Sequence, residues 1–239
     1  MSLELLSTQE AAEQLGVSAR RVRALVEQGD LDAVRAGRTL LIPPESVARQ
    51  QARGVATTRP LSTRMSWAAM LSDIGTTDVE RVTGALGLSS SEHRRLLGLR
   101  DRSTSDWSWL ARRRARAERY TVRVAYLADI VTTAGVLASG ISALDRHDVD
   151  LTKRAGTAEI YTGAVELQVL ARDFTWRADP AGNLIVHVLP AIDRITRFLE
   201  GWTEMTAATV AVDLLESGET RARRAGLQLI ETILARRGR

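Results

Sequence analysis

The first 45 residues are punctuated so closely by helix and strand stops that few folds can accept them. Ser7-Thr8-Gln9-Glu10 is a capping-box pattern: the Ser7 hydroxyl takes the Glu10 backbone N–H while the Glu10 carboxylate reaches back. Ala11, Ala12 and Leu15 follow as a short apolar face, and Gly16 stands where a helix ends in a left-handed residue. Ser18 can cap a second helix, Ala19 to Gln28, with Val22, Leu25 and Val26 on one face and Gly29 as its stop. Leu31 to Ala36 and Thr39 to Ile42 then read as strands about a turn at Gly37-Arg38. Pro43-Pro44-Glu45 opens another helix, because proline is tolerated in a first turn.

Two short helices joined by a tight Gly-Val turn and followed by a hairpin describe a winged helix-turn-helix. Leu6-Ser7-Thr8-Gln9-Glu10-Ala11-Ala12, Leu15-Gly16-Val17-Ser18, Val22-Arg23, Gly29-Asp30-Leu31 and Arg35-Ala36-Gly37-Arg38 through Ile42-Pro43 together resemble the excisionase/MerR-type winged-helix family. That resemblance implies a second helix in the DNA major groove and a wing along the backbone. Arg20, Arg21 and Arg23 project away from the apolar face, and their guanidinium forks suit phosphate oxygens or the acceptor edge of guanine. Arg23 matches the arginine such families place after the buried aliphatic residue. Arg35 and Arg38 flank the wing turn, and Ser18 and Thr39 complete the expected DNA-binding set. MerR regulators carry an aromatic where this chain has Ala24, so a tail that senses a small molecule or metal is not implied.

Several function classes are excluded by what the 239 residues lack. There is no cysteine, which removes thiolate metal sites, disulfides and cysteine nucleophiles. His93, His147 and His187 are scattered without paired spacing, so neither a metal nor a cofactor is expected. No basic stretch leads into an apolar core at the N-terminus. The most apolar stretch, Val122 to Ala143, is broken by Arg123, Asp129, Gly135 and Gly140, short of the roughly 18 residues of a membrane span. A cytoplasmic protein without a membrane partner is the expectation.

Charge divides the chain. Residues 1–55 carry seven basic and seven acidic side chains, residues 56–128 carry 13 against seven, and residues 129–239 carry 13 against 15. A neutral head has modest non-specific affinity for phosphate, so a homodimer or a further basic surface is needed for tight DNA binding. Past a linker at Gly54 to Pro60, three helices are expected: from Ser62 or Thr63 to Gly75, from Thr76 or Thr77 through Val82, and from Ser89. Trp107 and Trp109 read as core or interface anchors. The run Arg112-Arg113-Arg114-Ala115-Arg116 is either a source of added phosphate contacts, through Arg112, Arg113 and Arg116, or a solvated helix face.

Val122 to Ile130 has helical character, Ala158 to Thr162 reads as a strand and Val165 to Arg172 as a short helix. Phe174 to Ala178 and Leu184 to Leu189 flank Asp179-Pro180-Ala181-Gly182-Asn183, a hairpin signal. Thr206 to Glu216 and Thr220 to Arg236 read as helices. Asp145, Asp148 and Asp150 lack an accompanying strand-borne carboxylate and read as a solvated turn. The fold class is therefore α+β, mostly helical. It comprises a winged helix-turn-helix (1–55), a basic helical connector (56–120) and an α+β domain with a β-hairpin (121–239). No catalytic set stands out, and an enzyme would have to be built from Asp, Glu, Ser or Arg alone.

From Arg59 onward a second resemblance runs through Arg59-Pro60-Leu61-Ser62 with Trp67-Ala68, Ser139-Gly140-Ile141-Ser142-Ala143, Ala158-Glu159-Ile160-Tyr161 and Gly182-Asn183-Leu184. It continues in Asp213-Leu214-Leu215-Glu216-Ser217-Gly218 with Arg221-Ala222-Arg223-Arg224-Ala225-Gly226. These segments resemble an actinobacterial group related to AbiE-type (type IV) toxin–antitoxin antitoxins, although the head here is of the excisionase type. The resemblance implies an antitoxin that represses its own operon. Its head would bind inverted repeats in promoter DNA, and its tail would counter a nucleotidyltransferase toxin that is a genetic partner rather than a stably bound one. The alternative is an excisionase-like or plain regulator of a mobile element, with a tail that dimerises.

Overall fold

The computed structural model describes residues 5–27, 31–37, 39–44, 46–47, 50, 60–76, 78–102, 104–147, 155–217 and 219–236; side chains are described for all of these except 27, 34–36, 105, 109 and 146. The chain forms two compact units, Met1–Arg59 and Pro60–Arg239.

In the first unit β1 (Leu6–Ser7) leads into α1 (Thr8–Leu15) and α2 (Ala19–Glu27), followed by β2 (Val34–Ala36) and β3 (Thr39–Ile42). The capping box forms as its spacing requires: Ser7 N–H donates to Glu10 Oε2 at 2.7 Å, and Glu10 N–H to Ser7 Oγ at 3.2 Å. Gly16 closes α1 with φ +65°. Val17 N–H reaches back to Ala12 O at 3.0 Å, satisfying a carbonyl the helix would otherwise leave open. Ala11, Ala12, Leu15, Val22, Leu25, Leu31, Ile42 and Val47 bury together as the unit's core. β2 and β3 pair antiparallel, Arg35 opposite Leu40, and β1 adds a third strand that the sequence did not announce, with Leu6 opposite Ile42. Residues 44, 46 and 47 are helical after Pro43.

The second unit contains α3 (Thr63–Leu71), α4 (Val79–Leu86), α5 (Ser90–Gly98), α6 (Trp107–Leu110), β4 (Arg116–Thr121) and α7 (Leu127–Thr132). Then come β5 (Leu137–Ala138), a 3-10 segment (Gly140–Arg146), β6 (Ala158–Thr162), α8 (Ala164–Asp173), β7 (Arg177–Ala178) and β8 (Leu184–Val188). The unit closes with α9 (Asp193–Phe198), α10 (Ala207–Glu216) and α11 (Thr220–Ala235). Side-chain caps start three of these helices where the sequence places them: Ser62 on α3, Ser89 with Glu92 on α5, and Thr206 on α10. The α+β, mostly helical class is the observed one.

The sheet has the order β5-β6-β8-β4-β7. β6 and β8 run parallel with α8 between them in sequence, and the other pairs are antiparallel. Because side chains alternate across a strand, Ala158, Ile160, Leu184, Val186 and Val188 bury on one face with Leu127, Ile130, Leu167 and Leu170. Glu159, Tyr161 and His187 turn to the other face, where Tyr161 joins the larger core with Trp67, Trp107, Leu137 and the apolar residues of α10 and α11.

Three expectations change. The turn at 179–183 forms, with Gly182 N–H on Asp179 O at 2.9 Å, but β7 and β8 do not pair with each other. β4 lies between them, Tyr120 standing opposite Ala178 on one side and Leu184 on the other. The turn therefore crosses the end of β4, and a Cβ at Gly182 would sit 2.3 Å from Tyr120 C and O, which reserves the position for glycine. The arginine run is not a helix face either: residues 111–114 turn, and Arg116 begins β4. Residues 56–120 and 121–239, separate on sequence, meet in one unit from Pro60 onward, with β4 running across residue 120.

Candidate nucleic-acid interface

The geometry of α2 follows from its caps. Ser18 Oγ accepts the Arg21 N–H at 3.2 Å and Ser18 O accepts the Val22 N–H at 3.1 Å, which fixes where the helix starts and how it is rotated. With Val22 and Leu25 buried against α1, the 3.6-residue period turns Arg20 to the opposite side and sets Arg21 and Arg23 on its two flanks. Arg20 and Arg23 are exposed and Arg21 is half-buried. Ser18 is exposed at the leading end of this face, so the predicted recognition residues form one polar surface.

The wing turns at Gly37, and Thr39 is exposed at the start of β3. Arg35 occupies β2, with its side chain outside the described set, and Arg38 lies outside the described residues.

The three further arginines expected to touch phosphate differ in setting. Arg113 is exposed and Arg112 half-buried in the turn before β4. Arg116, 73% exposed, pairs with Glu118 at 2.6 Å. Trp107 is fully buried, as a core anchor should be, while the Trp109 side chain lies outside the described set. Asp145 is exposed, and Asp148 and Asp150 lie outside the described residues.

The charged chemistry that sequence reasoning missed is internal. Arg114, 2% exposed, donates through Nη2 to Asp213 Oδ1 and to Glu216 Oε2 at 2.8 Å, and through Nε to Tyr161 Oη at 2.8 Å. Tyr161 O–H donates to Asp213 Oδ1 at 2.9 Å, and Ser139 O–H to Asp213 Oδ2. His187 Nε2 lies 2.8 Å from Glu159 Oε1 and 3.7 Å from Asp213 Oδ1. Its ring stacks on Tyr161 with centroids 4.5 Å apart. Trp67 Nε1–H holds the Arg114 carbonyl at 2.6 Å.

Electrostatics follow burial and partners. Burial opposes the Arg114 charge, but Glu216, Tyr161 and Asp213 outweigh it and hold the guanidinium well above its ordinary range. Burial pushes the Tyr161 phenol up, so it stays a donor. For His187 burial alone would lower the pKa, yet Asp213 and Glu159 outweigh it and the imidazole is raised. One ligand atom from each of Glu159, His187 and Asp213 lies within 4.8 Å of the other two, and Arg114, Tyr161 and Ser139 already donate to the oxygens of Asp213. Asp213 is thus the acceptor on which the donors of the cluster converge.

Comparison with known families supplies the class: residues 5–53 match the model of a helix-turn-helix domain. The first unit is thus a helix-turn-helix domain of the excisionase-like kind, the architecture of DNA-binding regulators. The match spans about a fifth of the chain. Among curated proteins nothing matches, and among solved structures nothing matches. Among the described residues, no helix is long and apolar enough to cross a membrane.

Proposed function

We propose that the protein is a sequence-specific transcriptional repressor of its own operon and the antitoxin of a type IV, AbiE-like toxin–antitoxin pair. The observation that carries the DNA-binding part is the polar face of α2, where the Ser18 cap and the buried Val22 and Leu25 turn Arg20 and Arg23 outward from a helix-turn-helix frame. Such a helix presents its leading residues to base edges while a wing follows phosphate. The head's neutral charge favours a homodimer on inverted repeats, because two heads double the phosphate contacts. The protein acts in the cytoplasm and without catalysis.

Support for the antitoxin part comes from the resemblance of the tail. Four of its segments, those holding Ser139, Glu159 with Tyr161, Asp213 with Glu216, and Trp67, converge on the Arg114 cluster. The partner is a nucleotidyltransferase toxin encoded beside it. The excisionase-type head favours one other reading, a regulator of a mobile element whose tail dimerises; a neighbouring integrase gene rather than a nucleotidyltransferase gene would point to it.

The test is a mobility-shift titration on the protein's own upstream DNA, with random DNA as competitor and salt varied, beside Arg20→Ala and Arg21→Ala. Selective, salt-sensitive binding that the variants lose is the expected result, and rescue of growth on co-expression with the neighbouring nucleotidyltransferase completes it. Binding no stronger than to the competitor overturns autorepression. Absence of rescue by a DNA-binding-competent chain overturns the antitoxin role alone.

A further inference from the structure

Asp213 and Glu216 meet one permanent cation, Arg114, and a third carboxylate, Glu159, joins the cluster through His187; Glu159 and Asp213 are buried with Arg114. A buried surplus of negative charge is costly. Among the described residues of the cluster, His187 alone can add a second positive charge. One of its nitrogens, Nε2, confronts a carboxylate on each side, Glu159 of β6 and Asp213 of α10. A bare Nε2 would set its lone pair against both. The neutral tautomer protonated at Nε2 would satisfy the Glu159 contact but still leave three carboxylates against one guanidinium.

We propose that His187 keeps a resident proton as an imidazolium and so acts as a proton-linked clasp between the sheet and α10, tight when protonated and loosened when the proton leaves. The groups around it are Glu159 and Tyr161 from β6, Asp213 from α10 and Arg114 from the turn before β4, with Glu216 behind Arg114 and Ser139 behind Asp213. On β4 the residue opposite His187 is Ala117, which brings no charge. Arg114 opposes the proton and the carboxylates favour it, with the carboxylates in excess. Asp213 already takes three donors, from Arg114, Tyr161 and Ser139, with which a divalent cation would have to compete.

The sign of the effect is fixed. A histidine raised on folding contributes fully below its unfolded value, about 6.5, and the contribution is lost as pH rises through the higher folded value. His147 runs the other way: half-buried, it is lowered by burial, so its contribution is lost as pH falls below about 6.5. The two histidines therefore act on opposite sides of that pH.

The experiment follows urea unfolding of the full chain from pH 5 to 9 for the wild type, His187→Gln and His147→Gln, with imidazole 15N spectra of the folded wild type. Above pH about 6.5 the wild-type folding constant should fall by up to tenfold per pH unit. His187→Gln should flatten that fall, His147→Gln should leave it, and the His187 ring should titrate above the ordinary value. A His187 ring that titrates at or below about 6.5 overturns the proposal whether or not the variant folds. So does an undiminished slope in His187→Gln. A third overturning result is a rise in the midpoint on adding zinc, reversed by EDTA and absent in His187→Gln, because it assigns the place to a metal.

Discussion

On α2 the guanidiniums of Arg20 and Arg23 stand in solvent, while Arg114, from the densest basic run in the chain, is enclosed by Asp213, Glu216 and Tyr161. Both settings use the same fork of donors. What separates them is register against a core. In α2 the buried Val22 and Leu25 leave the arginines no inward direction. At Arg114 the chain is leaving α6 for β4, and that bend points one arginine of the run under the sheet toward α10. Density of charge in a sequence does not locate a surface; periodicity relative to apolar neighbours does.

The contrast can be broken most forcefully at the buried end. Arg114→Ala leaves Asp213 without its cation, and loss of one partner of a buried pair should cost about 3–5 kcal/mol of stability. Urea unfolding at fixed pH measures it; a loss below about 1 kcal/mol would mean the cluster is open to water. At the exposed end, Arg20→Ala should leave the unfolding midpoint unchanged and cost about 1–3 kcal/mol of specific DNA binding, read by titration on the cognate site. A variant that melts early but binds normally would invert the assignment.

Smaller effects sharpen the frame that orients α2. Ser7→Ala removes the acceptor for Glu10 N–H and should cost the first unit about 1 kcal/mol, followed by circular dichroism on melting. At the bottom of the range, Arg116→Ala breaks a pair whose arginine is 73% exposed, and should move stability by no more than about 0.5 kcal/mol. If Arg116→Ala instead weakened DNA binding in step with a lower salt dependence, Arg116 would be one of the added phosphate contacts.

The head was legible because its stops are local: Ser7 with Glu10, Gly16 and Ser18 each act within one helical turn, and the structure places α1, α2 and β3 where they require. β1 escaped because two residues, Leu6 and Ser7, carry no periodicity and become a strand only by pairing with β3. β4 escaped for a related reason, since Arg116-Ala117-Glu118-Arg119-Tyr120-Thr121 has little apolar alternation and owes its conformation to β8 and β7. The ion cluster depends on even longer reach. Glu159 and Tyr161 share a face by strand alternation, which sequence does show, but their meeting with His187 needs the parallel register of β6 and β8. Their meeting with Asp213 needs α10 against that face. An isolated histidine and an arginine in a basic run gave no sign of one another across 73 residues.

The position of β4 sets where the chain can be divided. A fragment beginning at residue 121 would take away almost all of the strand that β8 and β7 both pair with, uncovering a row of backbone donors and acceptors along β8 and leaving β7 only Thr121 to pair with. Such open edges recruit strands from other molecules, so this fragment should precipitate or pair with itself. A cut between Arg59 and Pro60 severs no strand pairing of the second unit's sheet. Expression of the tail as a separate piece succeeds or fails on that choice.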